Sequence, residues 1–203
     1  VPLAQIGGKG LFIKEIEEAL LVGQVDLAVH SLKDMPAEVP EGLILGAVPP
    51  REDCRDAFIS PRYASLAEIP AGGRVGTGSP RRRVQLLHRR PDLEVVPLRG
   101  NVDTRLKKMA TLGLDALILA AAGLNRLGLA HIYRGCVPES DMLPAVGQAA
   151  LGLEVREADH DVRELLAFLD DRPTRLAVTA ERAFLARLEG GCVVPVAALG
   201  RVE

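Results

Sequence analysis

Residues 74–127 read RVGTGSPRRRVQLLHRRPDLEVVPLRGNVDTRLKKMATLGLDALILAAAGLNRL. In this stretch, short apolar runs alternate with amphipathic segments. Turn-forming Gly, Ser, Pro and Asn residues separate the first two apolar runs from the amphipathic segments that follow them. The predicted elements are strand 74–77, helix 81–90, strand 93–98, helix 102–112, strand 116–120 and helix 121–127. Strands that alternate with helices favour a mostly parallel sheet with helical crossovers. We therefore expect an α/β fold.

The flanking sequence extends this pattern on both sides. Further predicted elements are helix 11–22, strands 25–29, 42–48 and 56–60, a return crossover at 143–148, strand 150–155 and helix 162–169. Residues 170–173 have the composition of a hinge, and Thr174 is expected to cap the helix that leads to Cys192. Two α/β lobes joined by two crossings indicate the binding-protein architecture (periplasmic-binding-protein type II), with a cleft between the lobes.

Composition excludes several classes of protein. With 203 residues, 48% of them hydrophobic, the chain can form one large core or two smaller ones. Its net charge of -2 provides no general basic field for nucleic acid, and no apolar run approaches the roughly 20 residues of a membrane helix. The three cysteines are irregularly spaced, and the four histidines lack metal-ligand spacing. We expect a cytoplasmic protein with free thiols, no metal and no membrane association.

Basic residues concentrate between positions 74 and 108, and those at the carboxyl ends of predicted strands matter most. They lie at two strand-to-helix turns, one with Ser79, Arg81 and Arg82 and the next with Arg99, Asn101 and Arg105. Helix N-terminal amides and bidentate guanidinium groups suit a ligand with several carboxylates. The alternative is a solvated or nucleic-acid-binding surface, although aromatic residues, at 3%, offer few platforms for base stacking.

Two single residues are candidates for chemistry. Asp34 follows a predicted buried strand, where a carboxylate can shuttle protons and stabilise developing positive charge. The alternative is a turn aspartate that hydrogen-bonds its own backbone. Cys192 follows Gly190 and Gly191 on a turn that a bulky group could reach, but free cysteine is commonly a small buried apolar residue. The residues alone leave both questions open.

Longer motifs resemble one family. Residues 181–196 read ERAFLARLEGGCVVPV and resemble the cofactor-attachment signature of the porphobilinogen deaminase (hydroxymethylbilane synthase) family. Five further blocks are similar to blocks of that family and follow its order: GKGLFxKE at 8–15, AVHSxKDxP at 28–36, REDxRDA at 51–57, LRGNVxTRL at 98–106 and LPAVGQ at 143–148. The resemblance covers essentially the whole chain.

The resemblance implies a transferase of porphyrin and haem biosynthesis. It would join four porphobilinogen molecules head to tail into hydroxymethylbilane, with release of ammonia, on a dipyrromethane cofactor held by a thioether at Cys192. Asp34 would be the catalytic carboxylate, assisting loss of ammonia and stabilising the azafulvene cation. The other implied cofactor-binding residues are Lys33, Thr77, Ser79, Arg81, Arg82 and Gly100, and the implied substrate-binding residues are Lys9, Arg99, Arg105 and Gln148. The family also suggests a monomer.

The resemblance also suggests domain limits, and the sequence departs from the family pattern at two positions. Domain 1 would comprise residues 1–50 and 145–170, domain 2 residues 51–144, and residues 174–203 would begin a small α+β third domain with the cofactor cysteine. Both ends of the chain are expected to be cut. Gly78 replaces an expected serine, which removes one hydroxyl from the proposed cofactor site, and Ala149 stands where glycine is usual.

Two other functions compete with the enzyme. One is a non-catalytic two-lobed binding module for an anionic small molecule, which explains the lobes and arginines but assigns no role to Asp34 or Cys192. The other, ranked last, is a nucleic-acid-binding protein that uses helix 81–90 and whose affinity would fall steeply with salt.

Overall fold

The computed structural model describes residues 8–188 and 195–202. They form two compact units, the first made of residues 8–52, 146–188 and 198–202 and the second of residues 53–145 and 195–197. The helices and strands, in chain order, are α1 (Gly8–Leu21), β1 (Ala28–Ser31), β2 (Leu43–Ala47), β3 (Asp56–Ile59), β4 (Arg74–Gly76), α2 (Pro80–Arg89), β5 (Glu94–Val96), α3 (Val102–Thr111), β6 (Ala116–Ala120), α4 (Ala121–Arg126), β7 (Gly135–Val137), β8 (Leu151–Arg156), α5 (His160–Leu166) and α6 (Arg172–Arg187).

The first unit is built on a sheet with the order β1-β8-β2. Both outer strands pair antiparallel with β8, so that Ala28 lies opposite Glu154 and Leu43 opposite Arg156. The expectation of a mostly parallel sheet is therefore wrong for these described strands. The physical reason is the connection: β8 enters the sheet between β1 and β2 after the chain returns from the second unit, and it runs against both of them.

The second unit has a five-stranded sheet with the order β5-β4-β6-β3-β7. Strand β4 is parallel to both β5 and β6, as the alternating pattern predicted, whereas β3 is antiparallel to β6 and β7. Apolar residues of the sheet, including Phe58, Val75 and Ile118, pack with Leu86 of α2 on one side. The parallel part of this sheet places the turns after β4 and β5 side by side.

The sequence predicted whether a segment is a helix or a strand more accurately than it predicted where that helix or strand begins and ends. Strand 116–120 is confirmed as β6, but the strand predicted at 25–29 lies at Ala28–Ser31. The assignment of Thr174 as a helix cap is wrong. Asp171 caps α6 by accepting a hydrogen bond from the Thr174 amide at 2.9 Å, because a cap must stand two or three residues before the amide it satisfies. The Thr174 hydroxyl instead accepts a hydrogen bond from the Arg51 amide at 3.0 Å.

Across residues 8–188 and 195–202, none of the helices combines the length and the apolar character needed to span a membrane.

Candidate active site

The first strand-to-helix turn of the second unit begins α2 with two buried arginines. Ser79 is the N-cap, and its side chain accepts a hydrogen bond from the Arg82 amide at 3.4 Å. Pro80 occupies the first helical turn, where its missing N–H would have no partner in the helix anyway. Arg81 and Arg82 follow, and they are only 5% and 6% exposed.

A single carboxylate, that of Asp56, binds both arginines. Asp56 is fully buried at the start of β3. Its Oδ2 accepts a hydrogen bond from Arg81 Nη2 at 2.7 Å, and its Oδ1 accepts one from Arg82 Nη2 at 2.8 Å. The remaining terminal nitrogens donate to the backbone carbonyls of Leu143 and Ile118. The Nε–H groups of both arginines are buried without a hydrogen-bond partner in the described structure.

This cluster carries excess positive charge. Burial by itself would raise the pKa of Asp56, but the charges of Arg82 and Arg81 and their hydrogen bonds hold it below its ordinary value. Burial lowers the pKa of Arg81, and Asp56 opposes that shift. Burial also lowers the pKa of Arg105, and the charge of Arg82 lowers it further, so Arg82 and Arg105 interact electrostatically. Two buried guanidinium groups against one carboxylate favour the binding of an additional anion.

The residues just before the arginines shape a tight turn. The hydroxyl of Thr77, which is buried, accepts a hydrogen bond from the Ser79 amide at 3.3 Å. A Cβ atom at Gly78 would overlap the carbonyl oxygen of Leu98, which lies in the following turn. The serine expected at position 78 therefore has no room in this backbone. The glycine allows the two turns to approach each other closely.

The second turn is arranged around Gly100. Its φ of +121° is in the region that favours glycine, and a Cβ atom there would lie 2.7 Å from a side-chain carbon of Thr104. Asn101 caps α3 by accepting a hydrogen bond from the Thr104 amide at 2.9 Å. Arg105 donates from Nε to the Gly100 carbonyl at 2.8 Å, and Arg99 is exposed. The second unit thus brings together the predicted Thr77–Arg82 turn and the Gly100–Arg105 turn.

The remaining described candidates lie in the first unit. A single 3-10 turn, Leu32–Asp34, follows β1 directly and ends on Asp34, which is half-buried like Lys33. Gly147 packs against this turn, because a Cβ atom placed on it would lie 2.9 Å from Leu32 Cβ and 3.1 Å from the Lys33 amide nitrogen. Gln148, next in the chain, is 1% exposed. Lys33, Asp34 and Gln148 therefore share one region of the first unit.

A buried ion pair fixes the Gly147 loop. Glu181 of α6 accepts hydrogen bonds from Arg51 Nη1 at 2.6 Å and Arg51 Nη2 at 3.1 Å, from the Gly147 amide at 2.7 Å and from the Gly200 amide at 2.8 Å. Arg51 also donates from Nε to the Gln148 carbonyl at 2.9 Å. One carboxylate thus holds the segment where the chain leaves the first unit, the segment where it returns, and the segment around Gly200.

Two of the candidate residues lie outside what the structure describes. The Lys9 backbone belongs to α1, but its side chain is not among the described ones, and Cys192 with its two glycines falls between residues 188 and 195. The sequence patterns predict no role for Asp56 or Glu181, although both residues lie within the motif blocks. A charged residue at the start of an apolar strand, as in Asp56-Ala57-Phe58-Ile59, was the available signal.

Family models match almost all of the chain. Residues 1–164 match "Porphobilinogen deaminase, dipyromethane cofactor binding domain", and residues 175–203 match "Porphobilinogen deaminase, C-terminal domain". Two similar relatives, both named porphobilinogen deaminase, come from Syntrophus aciditrophicus (63% identical over 98% of this chain) and Nitratidesulfovibrio vulgaris strain Hildenborough (61% over 97%). The chain spans 65% and 62% of the length of these relatives.

Solved structures support the fold alone. The methionine-binding protein MetQ has a TM-score of 0.50 at 15% identity, with 92% of this chain and 82% of that one covered. A Bacillus subtilis lipoprotein also scores 0.50, at 14% identity over 91% of this chain and 83% of its own. This likeness confirms the expected binding-protein-like α/β fold. The family models and the high identity to the relatives show that the chain belongs to the porphobilinogen deaminase family.

Proposed function

We propose that the whole protein is a hydroxymethylbilane synthase, a transferase that joins four porphobilinogen molecules head to tail and releases ammonia. The observation that carries this proposal is the arginine pair on Asp56. It is a buried site with excess positive charge and two N–H donors without partners, which suits the carboxylates of a pyrrole ligand. The names of the family models and of the relatives support the same activity.

The described residues fit a dipyrromethane cofactor. A pyrrole carboxylate would provide the acceptors that the Nε–H groups of Arg81 and Arg82 lack. We propose that the cofactor is held by Lys33, Thr77, Ser79, Arg81, Arg82 and Gly100 and by a thioether to Cys192. When bound, the cofactor supplies the pyrrole carbon on which the product is extended.

Asp34 is proposed as the catalytic carboxylate. It is half-buried at the end of the 3-10 turn that follows β1 and packs against Gly147. A carboxylate there can accept a hydrogen bond from a pyrrole N–H and stabilise the positive charge that develops as ammonia leaves. Lys9, Arg99, Arg105 and Gln148 are proposed to bind the acetate and propionate groups of the substrate. The half-buried Arg105, whose pKa is lowered by burial and by the charge of Arg82, suits this role.

Other features remain proposals. We propose that residues 174–203 begin a third domain, which the C-terminal family model over 175–203 supports. Within the described residues, α6 packs with the first unit through Glu181 and Val178. A cytoplasmic location, a monomeric state, and no role for nucleic acid or membrane stay predictions from the sequence.

The proposed function is tested by the intact mass of the full-length protein made in a haem-synthesising cell. We expect the native protein to exceed its sequence mass by two linked pyrrole units, and the Cys192→Ser variant to lack this excess. Cys136→Ser is the matched control, because Cys136 is a half-buried free thiol of the second unit and should leave the excess intact. An unmodified native mass would contradict the proposal.

A further inference from the structure

The two arginines of the candidate site are neighbours in a helix, and this makes their convergence unusual. Successive residues of an α-helix project about 100° apart, so side chains at i and i+1 do not face each other. Arg81 and Arg82 nevertheless direct one terminal nitrogen each to the same carboxylate, at 2.7 and 2.8 Å. Asp56 is the group on which they meet.

Asp56 is itself held firmly. It lies opposite Ala120 of β6 on one side and Val137 of β7 on the other, so its backbone belongs to the interior of the sheet. Its side chain is fully buried. The sheet therefore fixes the backbone of Asp56 independently of the two arginines.

The hydrogen bonds of the cluster leave two buried donors unpaired among the described residues. Each arginine uses one terminal nitrogen for Asp56 and the other for a backbone carbonyl, which leaves both Nε–H groups buried and without a partner in the described structure. The cluster also keeps one excess positive charge, since two guanidinium groups pair with one carboxylate. An additional anionic acceptor would pair with these Nε–H groups and balance the remaining positive charge.

We propose that Asp56 is a positioning residue of the cofactor site. It aligns Arg81 and Arg82 and leaves two Nε–H donors and one positive charge for a single carboxylate of the pyrrole cofactor. The identity of that carboxylate rests on the proposed function above, whereas the alignment of the arginines does not. In this role Asp56 makes no contact with the reacting atoms.

The test combines two measurements on full-length protein that carries Asp56→Asn, a change that keeps the size of the side chain and removes its charge. The first is the fraction of molecules with the two-pyrrole mass excess, which we expect to fall roughly tenfold, the lower end of the loss in metal affinity when the hydrogen-bond partner of a metal ligand is removed. The second is hydrogen exchange of the Arg81 and Arg82 Nε–H groups, followed by NMR with nitrogen-15 arginine and assigned with Arg81→Lys and Arg82→Lys. We expect it to become roughly tenfold faster or more, because the groups lose their fixed position.

Asp115→Asn is the matched control. Asp115 is also a buried carboxylate of the second unit with an arginine partner, Arg62, and it accepts a hydrogen bond from the Arg74 amide at 2.7 Å. This variant should lose stability while keeping both the mass excess and slow Nε–H exchange. A general structural effect would instead change both variants alike, and that result would overturn the proposal.

The outcomes separate the two proposals. Unchanged exchange and an unchanged mass excess in Asp56→Asn would overturn the role of Asp56. A wild-type protein without the mass excess would contradict the proposed function. The exchange rates of the Arg81 and Arg82 Nε–H groups would then be the test of whether Asp56 aligns the two arginines. If Asp56→Asn does not fold, Arg82→Gln replaces it. The Arg81 Nε–H should then stay in slow exchange, because Asp56 still holds the buried Arg81 guanidinium through Nη2. Exchange as fast as that of the exposed Arg83 would refute the alignment.

Discussion

At the residue scale, Ala149 has an unfavourable backbone. Its φ is 72°, and within the described part of the chain it is the only non-glycine residue with positive φ. The sequence has alanine where glycine is usual, and the backbone angle explains why this lowers stability. A Cβ atom in the left-handed region destabilises the residue by about 1–2 kcal/mol. The strained residue directly follows Gln148, a candidate substrate ligand.

We predict that Ala149→Gly raises the free energy of unfolding by about 0.5–1 kcal/mol, since relief of strain exceeds the roughly 0.4–1 kcal/mol that glycine loses in chain entropy. Urea denaturation measures this change. Ala150→Gly is the control, because Ala150 is buried without positive φ and should be destabilised by about 0.5–1 kcal/mol. A lower urea midpoint for Ala149→Gly than for the wild type would refute the strain.

A buried polar cluster in the first unit predicts a dependence on pH. His30 Nε2 lies 2.9 Å from Glu154 Oε2, and both residues are buried with Glu17 of α1. Burial raises the pKa of Glu17 above its ordinary 4.5, and the Glu154 carboxylate raises it further, against the opposing charges of His30 and Lys14. The folded protein therefore holds the Glu17 proton more tightly than the unfolded chain does. This contribution to stability is present below pH 4.5 and is lost as pH rises through the raised pKa.

Glu17→Gln replaces the titrating carboxyl by an amide, so the variant does not lose this stability as pH rises. We expect the free energy of unfolding of the variant, relative to the wild type, to increase as pH rises from 4.5 through the raised value, and urea denaturation at a series of pH values measures it. Glu18→Gln, which removes the same charge from an exposed position of α1, is the control. A difference between Glu17→Gln and the wild type that stays constant with pH would show that Glu17 does not titrate in this way.

At the element scale, α6 stabilises the connections of the first unit through Glu181. The helix contributes a carboxylate that is 1% exposed, and three chain segments donate hydrogen bonds to it. Removal of one member of a buried ion pair leaves the partner charge uncompensated, which costs about 3–5 kcal/mol. The sequence contained Glu181 within a motif but offered no way to see that Arg51, 130 positions earlier, is its partner.

We predict that Glu181→Gln lowers the free energy of unfolding by about 3 kcal/mol, as measured by chemical denaturation. Glu94→Gln tests whether burial is the cause. Glu94 pairs with Arg74 at 3.2 Å but its side chain is 58% exposed, so we expect a loss below about 1 kcal/mol. Similar losses in the two variants would contradict the role assigned to the buried pair.

At the scale of the whole molecule, the candidate residues are divided between the units. Asp34, Lys33 and Gln148 belong to the first, whereas the arginine turns belong to the second. Under the proposed function, the carboxylate that would transfer protons, Asp34, lies in the first unit, and the arginine turns that would bind carboxylates lie in the second. Variants in the two units should therefore fail in different ways.

We predict that Asp34→Asn in the full-length protein keeps the two-pyrrole mass excess and lowers turnover of porphobilinogen by roughly 10²–10⁴-fold, the usual contribution of a positioned acid or base. Ammonia release and intact mass are the two measurements. Glu38→Gln, an exposed carboxylate on the same loop, should keep both. Unchanged turnover in Asp34→Asn would favour the alternative of a non-catalytic binding module.

The sequence by itself determined the type and order of most elements, the family, and the turns that carry the candidate arginines, because periodicity and capping residues act over a few neighbouring positions. Strand β6 and the strand-to-helix turn at Ser79 are examples. Only the tertiary structure decided the antiparallel pairing of β8 and the joining of Arg51 to Glu181 and of Asp56 to Arg81 and Arg82. These contacts join residues far apart in the chain, and which charges meet depends on burial and strand pairing, which no local pattern records.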